Sequence, residues 1–516
     1  MSVETTHEAS DSIATDALKG SAYSVAASLI TLVAGFTRSI LLARWVAPEH
    51  FGVVALGLFY VNLAARLRGF DFGRALIHRQ DNSEQVLRTY FTLSVGTLLL
   101  SLVLLIGAIP LLSVAYPAIP VLTGVVAALA GVDLVKGLSY IQETLLSKNL
   151  AFRALATIDV AASIVMTVVA PWLAWQGWGA WALVAEQASG ILVRFTMAWL
   201  VFRPWRPHIA WHRETARWFW GYGKPVWGAA NLGYLLDRFD DFWIGTALGR
   251  IPLGYYSRAY EFARYPRRVV ANPLVSVFAP VFAQLQADRK RLSQAFYRAA
   301  HVILRSGLLI SGAFALIMPE FIGLVIGVQW RPMLSTFRLM LLYTLLDALL
   351  LLGETFLVAV GDPQRLSYTR VRQVLFFIPA VIGGAYLWGI DGVALAANAM
   401  LIVGTCVLYP GLRKIIDFSL FRLGFWPVIA LSLSYGAGLL LESLWAETSM
   451  WVSAVVKLIL FTGLFVGTLL LTERSDYLRA FRWVCERTSA LAHSTNPLSA
   501  SDGEYEVPVG NGRTDC

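Results

Sequence analysis

Charged residues within otherwise apolar stretches are the side chains of this sequence that could do chemistry. Two groups stand out by their spacing, one at 237–241 and one at 258–264. Recurrence every three or four positions places such residues on one face of a helix. A charge inside a membrane-spanning helix costs about 2.5–3.5 kcal/mol on insertion scales and therefore marks a functional candidate. The candidates are Asp237, Arg238, Asp240, Asp241, Arg258, Glu261 and Arg264.

Two interpretations of these charged stripes remain open. Opposite charges on neighbouring helices could form a gate, which an anionic ligand opens by competing for the arginines. Alternatively, the charges form a permanent structural ion-pair cluster, or lie near the outer interface where water reaches them. The gate interpretation predicts that the arginines bind substrate and that Asp237, Asp240, Asp241 and Glu261 act in gating or ion coupling.

Three isolated cations are further candidates for binding phosphate or acidic sugars. Arg38 and Lys136 lie in apolar surroundings, and Lys224 lies near the start of a predicted helix. Arginine offers phosphate a bidentate fork, whereas lysine offers a point charge. Arg38 and Lys136 could instead extend toward the interface, or pair with Glu186 and Asp133.

Two carboxylates occupy one face of a later apolar segment. Asp347 and Glu354 are seven residues apart, which is close to two helical turns. A carboxyl group held away from water suits coupling to a proton or another ion. A purely structural role is the alternative.

Several motifs that would indicate other chemistry are missing from the sequence. There is no phosphate-binding loop of the Gly-x-x-x-x-Gly-Lys-Ser/Thr type, so we expect no direct use of ATP. His208 and His212 have helical spacing but lack the glutamate of a metalloprotease motif. Cys406, Cys485 and Cys516 are scattered, which predicts neither a disulfide framework nor a metal site. We expect no metal, no cofactor and no enzymatic activity.

The composition indicates the elements that position these residues. Apolar residues make up 57% of the 516 residues and charged residues only 15%. The apolar residues fall in blocks of about 20, the length that crosses a bilayer as a helix. The net charge is +9, but the basic residues lie between these blocks and not on one soluble face, which argues against nucleic acid as a partner. We predict an all-α polytopic membrane protein with about fourteen helices near 21–43, 51–67, 89–109, 118–141, 155–174, 179–201, 217–246, 253–282, 297–326, 333–359, 367–388, 391–411, 423–441 and 450–471.

The distribution of Lys and Arg predicts the orientation of these helices. Connectors after even-numbered helices hold most of the basic residues, whereas connectors after odd-numbered helices hold little beyond Arg44, Arg250 and Arg331. Basic connectors stay in the cytoplasm. Both termini are therefore predicted to be cytoplasmic, with a partly disordered polar tail at 473–516.

An internal duplication divides the predicted helices into two sets. Three pairs of segments recur in the same order at separations of a little over 200 residues: Pro48–Gly52 with Pro252–Gly254, Glu143–Leu146 with Glu354–Leu357, and Gly179–Leu183 with Gly392–Ala396. Repeats with an even number of helices share one orientation and enclose a cleft. We therefore expect a cytoplasmic segment 1–20, a six-helix lobe 21–201, a cytoplasmic linker 202–216, a second six-helix lobe 217–412, and two additional helices within 413–472.

Three stretches carry a resemblance to a known family. Residues 41–52 (LLARWVAPEHFG), 253–260 (LGYYSRAY) and 272–280 (NPLVSVFAP) resemble the polysaccharide transporter, or oligosaccharide flippase, family. This family belongs to the multidrug/oligosaccharidyl-lipid/polysaccharide exporter superfamily, and within it the sequence is most similar to colanic acid exporter-like proteins. The resemblance covers about residues 20–480.

The resemblance implies a transport function in the bacterial inner membrane. It implies two lobes around a central cavity, transport by alternating access, and no cofactor. The implied cargo is a polyprenyl-diphosphate-linked glycan, and membrane lipids are expected to contact the protein. A polysaccharide polymerase and chain-length machinery are candidate partners. The alternatives are a drug or organic-cation antiporter of the same superfamily, a flippase of the peptidoglycan precursor, or a membrane glycan polymerase or ligase.

Overall fold

The computed structural model describes residues 4–362, 364–444 and 449–474, and their regular elements are all helical. The α-helices are α1 (Glu4–Trp45), α2 (Pro48–Leu67), α3 (Phe72–His78), α4 (Glu84–Ala115), α5 (Val121–Lys148), α6 (Phe152–Trp175), α7 (Ala180–Thr196), α8 (Arg213–Trp243), α9 (Arg250–Ala263), α10 (Asn272–Gln284), α11 (Arg289–Phe321), α12 (Leu334–Ala359), α13 (Gln364–Ile415), α14 (Leu420–Leu444) and α15 (Met450–Thr472). Shorter π-helical turns follow α7, α8 and α11 and precede α10, and a 3₁₀ turn, Val328–Met333, precedes α12.

All fourteen predicted segments fall on helices, with four differences from the prediction. α1 begins at Glu4, well before its predicted start, and α3 is a short helix inside a predicted connector. The predicted helix 253–282 is divided into α9, a π-helical turn at Arg267–Ala271, and α10. The predicted helices 367–388 and 391–411 lie on α13, which is kinked where Trp388 and Gly389 leave helical geometry. The expected tail at 473–516 lies almost entirely outside the described residues.

Nine helices of the described part are long and apolar enough to cross a membrane. They include α1, α4, α5 and α6 among the early helices, and the helices from α11 onward. α2, α8 and α9 are not among them, and α8 carries four charged residues between Asp237 and Asp241. A helix that faces a polar interior carries polar residues on that side, so hydropathy alone does not identify it as membrane-spanning. The number of membrane crossings remains a prediction.

The helices pack in two groups that meet along α2 and α9. In the first group α6 packs on α1 and α7, and α5 packs on α2, α4 and α7. In the second group α12 packs on α9, α11 and α13, while α14 and α15 pack on each other and on α11. The extensive contact between α2 and α9 joins the two groups.

Two glycines bring the starts of α2 and α9 into direct main-chain contact. A Cβ atom added to Gly52 would lie 1.8 Å from the carbonyl oxygen of Arg250, and one added to Gly254 would lie 1.9 Å from that of Pro48. The contact is reciprocal, and both pairs of equivalent positions are 202 residues apart (254 − 52 and 250 − 48). Only glycine allows helices to approach this closely.

Side chains reinforce this main-chain contact, and together they close one end of the molecule. The buried Trp330 donates a hydrogen bond to the carbonyl oxygen of Ala43 at 2.7 Å, and its ring meets that of Phe51 at 5.5 Å. Arg44 donates to the carbonyl oxygen of Val325 at 2.9 Å. These contacts lie at the end of the helices that the charge distribution predicts to be external.

Candidate functional site

A cavity of about 420 Å³ lies between α2 and the helices of the second group. Its wall comes from α2, α8, α9, the segment that follows α9, α12 and α13. The lining holds eight charged side chains, five arginines and three carboxylates: Arg66, Arg238, Arg264, Arg267, Arg370, Asp237, Asp347 and Glu354. An excess of two positive charges therefore faces the interior of the cavity.

The break after α9 positions two of these arginines. α9 ends at Ala263, and Pro266 precedes a π-helical turn. Proline lacks the backbone N–H that a continuous helix needs, and π-helical turns widen the backbone locally, often at functional sites. Arg264 and Arg267 both line the cavity from this irregular stretch.

Three of the five arginines are neutralised by carboxylates. Arg267 forms an ion pair with Asp347, and Arg370 pairs with Glu354 at 3.3 Å. Arg238 bonds to Asp241 at 2.8 Å, one turn further along α8. These three arginines stay charged within the wall, but their carboxylate partners occupy the groups that a ligand would bind.

The other two arginines face aromatic rings. Arg66 lies over the ring of Tyr234 at 5.3 Å from its centroid, and Arg264 lies over the ring of Tyr260 at 5.2 Å. Neither arginine forms an ion pair with any residue that the structure describes. A cation over an aromatic face keeps its hydrogen-bond donors free for an anionic ligand.

Uncharged polar groups complete the lining. Asn62, Tyr260, Tyr343 and Gln373 lie in the wall. The rings of Tyr260 and Tyr343 meet edge to face at 5.6 Å, and Gln373 donates to the carbonyl oxygen of Met400 at 3.4 Å. Such groups exchange hydrogen bonds with hydroxyl groups.

The structure brings together five of the residues predicted from sequence. Asp237, Arg238, Arg264, Asp347 and Glu354 all line the cavity. The spacing of Asp347 and Glu354 on one face of α12 places both of them in the wall.

Other predicted residues lie elsewhere. Arg38 bonds to Glu186 at 2.7 Å, so it takes the ion-pair alternative inside the first helix group. Lys136 and Lys224 are exposed and lie outside the cavity lining. Asp133, considered as a partner of Lys136, instead pairs with Arg68.

The remaining predicted charges lie beside the cavity without lining it. Asp240 accepts a hydrogen bond from Tyr256 at 2.6 Å, and Glu261 bonds to Arg268 at 2.8 Å. Arg258 lies over the ring of Phe51, 4.4 Å from its centroid, next to the closed end. Asp240 therefore links α8 to α9, and Arg258 links α9 to α2. Glu261 joins α9 to the π-helical turn that follows it.

Sequence reasoning missed three of the cavity arginines and all of its uncharged polar groups. Arg66 and Arg370 lie near the ends of predicted helices, where basic residues are ordinary. Arg267 follows Arg264 by three positions, a spacing that could have indicated it. Asn62, Tyr343 and Gln373 carry no charge, so no local signal distinguishes them.

The chain is similar to known proteins over most of its length. The chain is 27% identical over 488 residues to the succinoglycan biosynthesis transport protein ExoT of Rhizobium meliloti (strain 1021), with 90% of this chain and 93% of that protein covered. It is 24% identical over 446 residues to the lipopolysaccharide biosynthesis protein WzxC of Escherichia coli (strain K12), with 82% and 88% covered.

Two solved structures show the same fold. The lipid II flippase MurJ, in an inward closed conformation, matches with a TM-score of 0.66 at 14% identity, over 89% of this chain and all of that chain. An inward-facing multidrug resistance MATE transporter matches with a TM-score of 0.56 at 14% identity, over 76% and 97%.

A family model described as polysaccharide biosynthesis protein matches residues 41–335, more than half of the chain. These residues include all three stretches that carry the resemblance seen in the sequence, which is thereby confirmed. The chain is a member of the polysaccharide biosynthesis protein family.

Proposed function

We propose that this protein is a flippase that moves a polyprenyl-diphosphate-linked oligosaccharide or polysaccharide repeat unit across the bacterial inner membrane by alternating access. The observation that carries the proposal is the polar cavity, in which two arginines without carboxylate partners lie between two helix groups that are closed at one end. The names of the relatives, a polysaccharide transport protein and a lipopolysaccharide biosynthesis protein, support the same class of cargo.

A glycan needs such a passage because its hydroxyl groups resist entry into lipid. Moving one hydroxyl group into an apolar medium without a partner costs roughly 2–7 kcal/mol. The cavity offers Asn62, Tyr260, Tyr343 and Gln373 as replacement partners. The prenyl chain itself is apolar and stays in the bilayer.

The diphosphate is the part of the cargo that the two arginines suit best. Arg66 belongs to α2 and Arg264 follows α9, so the pair comes from both helix groups. Guanidinium groups bind phosphate oxygens through paired, charge-assisted hydrogen bonds. A diphosphate held by both arginines therefore links the two groups whose relative movement opens and closes the cavity.

The proposal also includes the topology, the gate residues and the partners that the sequence predicts. We place fourteen crossings in the membrane, with lobes at 21–201 and 217–412, the extra helices within 413–472, and both termini in the cytoplasm. Asp237, Asp347 and Glu354 are the gate or ion-coupling residues in this scheme, because these three carboxylates line the cavity together with its arginines. A polysaccharide polymerase and chain-length machinery, which would receive the cargo, are partners to test by co-purification.

The alternatives fit the cavity less well. An organic-cation antiporter needs an acidic binding site, whereas arginines outnumber carboxylates here. A polymerase or ligase needs acid–base residues on an external domain, whereas the predicted external connectors are short. A peptidoglycan-precursor flippase would use the same diphosphate chemistry. This alternative is tested by expressing the protein in a strain depleted of that flippase, where restored growth would support it.

The test is export by cells that carry single substitutions. Arg66→Ala and Arg264→Ala should each abolish most polysaccharide export and leave a cytoplasmic-side pool of undecaprenyl-linked glycan. The matched control is Arg291→Ala, because the Arg291 side chain is 76% exposed and lies outside the cavity. Normal export by both cavity variants, at wild-type membrane levels, would remove the two arginines from the mechanism.

A further inference from the structure

We propose that the segment joining the two helix groups, residues 203–213, is a binding site for anionic phospholipids at the membrane surface. Its exposed arginines contact the lipid phosphates, and its exposed Ile209 and Trp211 enter the lipid beside them. The position of this linker, its exposed apolar side chains and its unpaired charges all point to a lipid surface.

Hydrogen bonds at two positions hold the linker against the first helix group. The Thr92 hydroxyl accepts from the backbone N–H of Ala210 at 3.2 Å and lies 2.9 Å from the carbonyl oxygen of the same residue. The Gln142 amide donates to the carbonyl oxygen of Trp205 at 3.0 Å. The Trp205 ring also meets that of Phe91 edge to face at 6.1 Å. The linker therefore has a fixed place on α4 and α5.

The contact with Thr92 lies at the edge of the apolar part of α4. Arg88 is the last charged residue before an uncharged run that continues to the end of the helix at Ala115. Thr92 follows it by four residues, about 6 Å of helical rise. Since α4 is long and apolar enough to cross a membrane, the linker is held where headgroups meet acyl chains.

The linker exposes large apolar side chains at this level. Ile209 is 82% exposed and Trp211 is 60% exposed. Leu200 and Val201, in the π-helical turn before the linker, are exposed as well, so an apolar surface continues from the helix into the linker. Tryptophan is enriched where a membrane meets water. A bilayer therefore covers these side chains more readily than a soluble partner does.

Unpaired arginines accompany the apolar side chains. Arg203, Arg206 and Arg213 are exposed, and they form no ion pair with any residue that the structure describes. Residues 203–217 contain four arginines and a single carboxylate, that of Glu214. The cytoplasmic leaflet, which this linker is predicted to face, carries anionic lipids that attract basic segments. Guanidinium groups bind phosphate oxygens in pairs, so the linker favours anionic headgroups.

A fluorophore at one residue measures how deep the linker lies. The full-length protein, with its native cysteines replaced by serine, is labelled at Ile209→Cys in nanodiscs of phosphatidylglycerol and phosphatidylcholine. Bromine atoms on the upper acyl chains should quench this label, because the side chain lies in lipid. The same label at Lys290→Cys, an exposed position at the start of α11, should be quenched much less.

Two results of this measurement would overturn the proposal. One is equal quenching by brominated lipid at the two positions. The other is quenching of the label at position 209 by aqueous iodide alone, which would indicate a surface for a soluble partner. Neither result involves the glycan, so both would leave the proposed function intact.

Removal of charge tests the contact with the headgroups. Phosphatidylglycerol is titrated into the detergent-solubilised protein, and bound lipid is counted by native mass spectrometry. Arg203→Gln, Arg206→Gln and Arg213→Gln together should weaken binding by about tenfold or more, since one cation near an anionic surface contributes about fivefold. Binding of phosphatidylcholine should not change. Where the triple variant folds poorly, Arg206→Gln alone should weaken phosphatidylglycerol binding by about fivefold.

The matched control removes three cations from another exposed segment. It combines Arg289→Gln, Lys290→Gln and Arg291→Gln, and both of these arginines already have carboxylate partners. This control should retain most of the affinity for phosphatidylglycerol. Unchanged affinity in the linker variant, or an equal loss in the two triple variants, would overturn the proposal.

Discussion

Arg66 and Arg264 differ from the other cavity arginines in what lies opposite them. Arg267 and Arg370 face carboxylates, so an anion that binds them must compete with an existing ion pair. Arg66 and Arg264 face tyrosine rings, which attract a cation more weakly than a carboxylate does. An anionic ligand therefore meets two available guanidinium groups without breaking any ion pair.

We expect Arg38 to contribute to the stability of the fold and not to substrate binding. It pairs with Glu186 in the first helix group, and the two side chains are 15% and 18% exposed. Arg38→Met should lower the free energy of unfolding by about 1–3 kcal/mol, because Glu186 is left without its partner. The measurement is the thermal midpoint of the purified protein.

A double substitution separates stability from binding at this position. Arg38→Met with Glu186→Met should recover most of the lost midpoint, since both charges are removed together. Diphosphate affinity of the folded protein should stay unchanged. A normal midpoint combined with lost affinity would instead return Arg38 to the group of substrate-binding residues.

The candidate site was predictable only in part, for reasons visible at single residues. Asp237, Arg264 and Asp347 were identified because a charge in an apolar helix stands out. Their partners were not, since the Arg267–Asp347 pair joins positions 80 residues apart (347 − 267) and depends on how the helices pack. Tyr343 gave no signal, because a tyrosine in an apolar segment is equally typical of an interface or a core.

At the scale of elements, we expect the interlocked starts of α2 and α9 to govern access to the cavity. Asn62 and Arg264 each follow the contacting glycine of their helix group by ten residues, about 15 Å of helical rise. Gly52→Ala would place a Cβ atom against the main chain of Arg250, where no side chain can rotate aside. The closed end should therefore open.

The accessibility of a single cysteine measures this opening. In a protein whose native cysteines are replaced by serine, Asn62→Cys should react with a membrane-impermeant thiol reagent from the external side only when Gly52→Ala is present. Gly35→Ala is the matched control, because a Cβ atom there meets no atom within 4 Å. Equal labelling in the Gly52→Ala and Gly35→Ala proteins would show that the glycine contact does not close this end.

The long helices were predictable because apolar blocks of about 20 residues leave few alternatives in a membrane. The short helix α3 was missed, since seven residues among basic neighbours resemble a connector. Pro266 and Pro273 lie on either side of a π-helical turn, Arg267–Ala271, but prolines in a helix indicate a bend and not the type of turn. Such a turn depends on how α9 and α10 pack on α12.

At the scale of the whole molecule, buried charge attaches the last two helices to the rest. Lys457 of α15 is 1% exposed and bonds to Glu320 of α11 at 2.5 Å and to Glu442 of α14 at 2.9 Å. A buried lysine without these carboxylates would be strongly destabilising. The helices α11, α14 and α15 therefore form one unit, despite their distance along the chain.

The proposed orientation of the whole chain predicts where reporters fold. Green fluorescent protein attached after residue 516 should fluoresce, because the distribution of Lys and Arg places that end in the cytoplasm. The same reporter attached after residue 330, in a predicted external connector, should stay dark. A dark C-terminal fusion present at normal membrane levels would reverse the proposed topology.

The main-chain contact at Gly52 and Gly254 bears on how the protein responds to its surroundings. Carbonyl groups and glycine Cα atoms do not titrate, and uncharged atoms in contact are not screened by salt. The nearby pair of Glu49 and Arg250 is more than one-third exposed on both sides and adds little. The pH and the ionic strength of the external medium should therefore have little effect on this contact. We expect the closed end to stay closed at both low and high salt concentration.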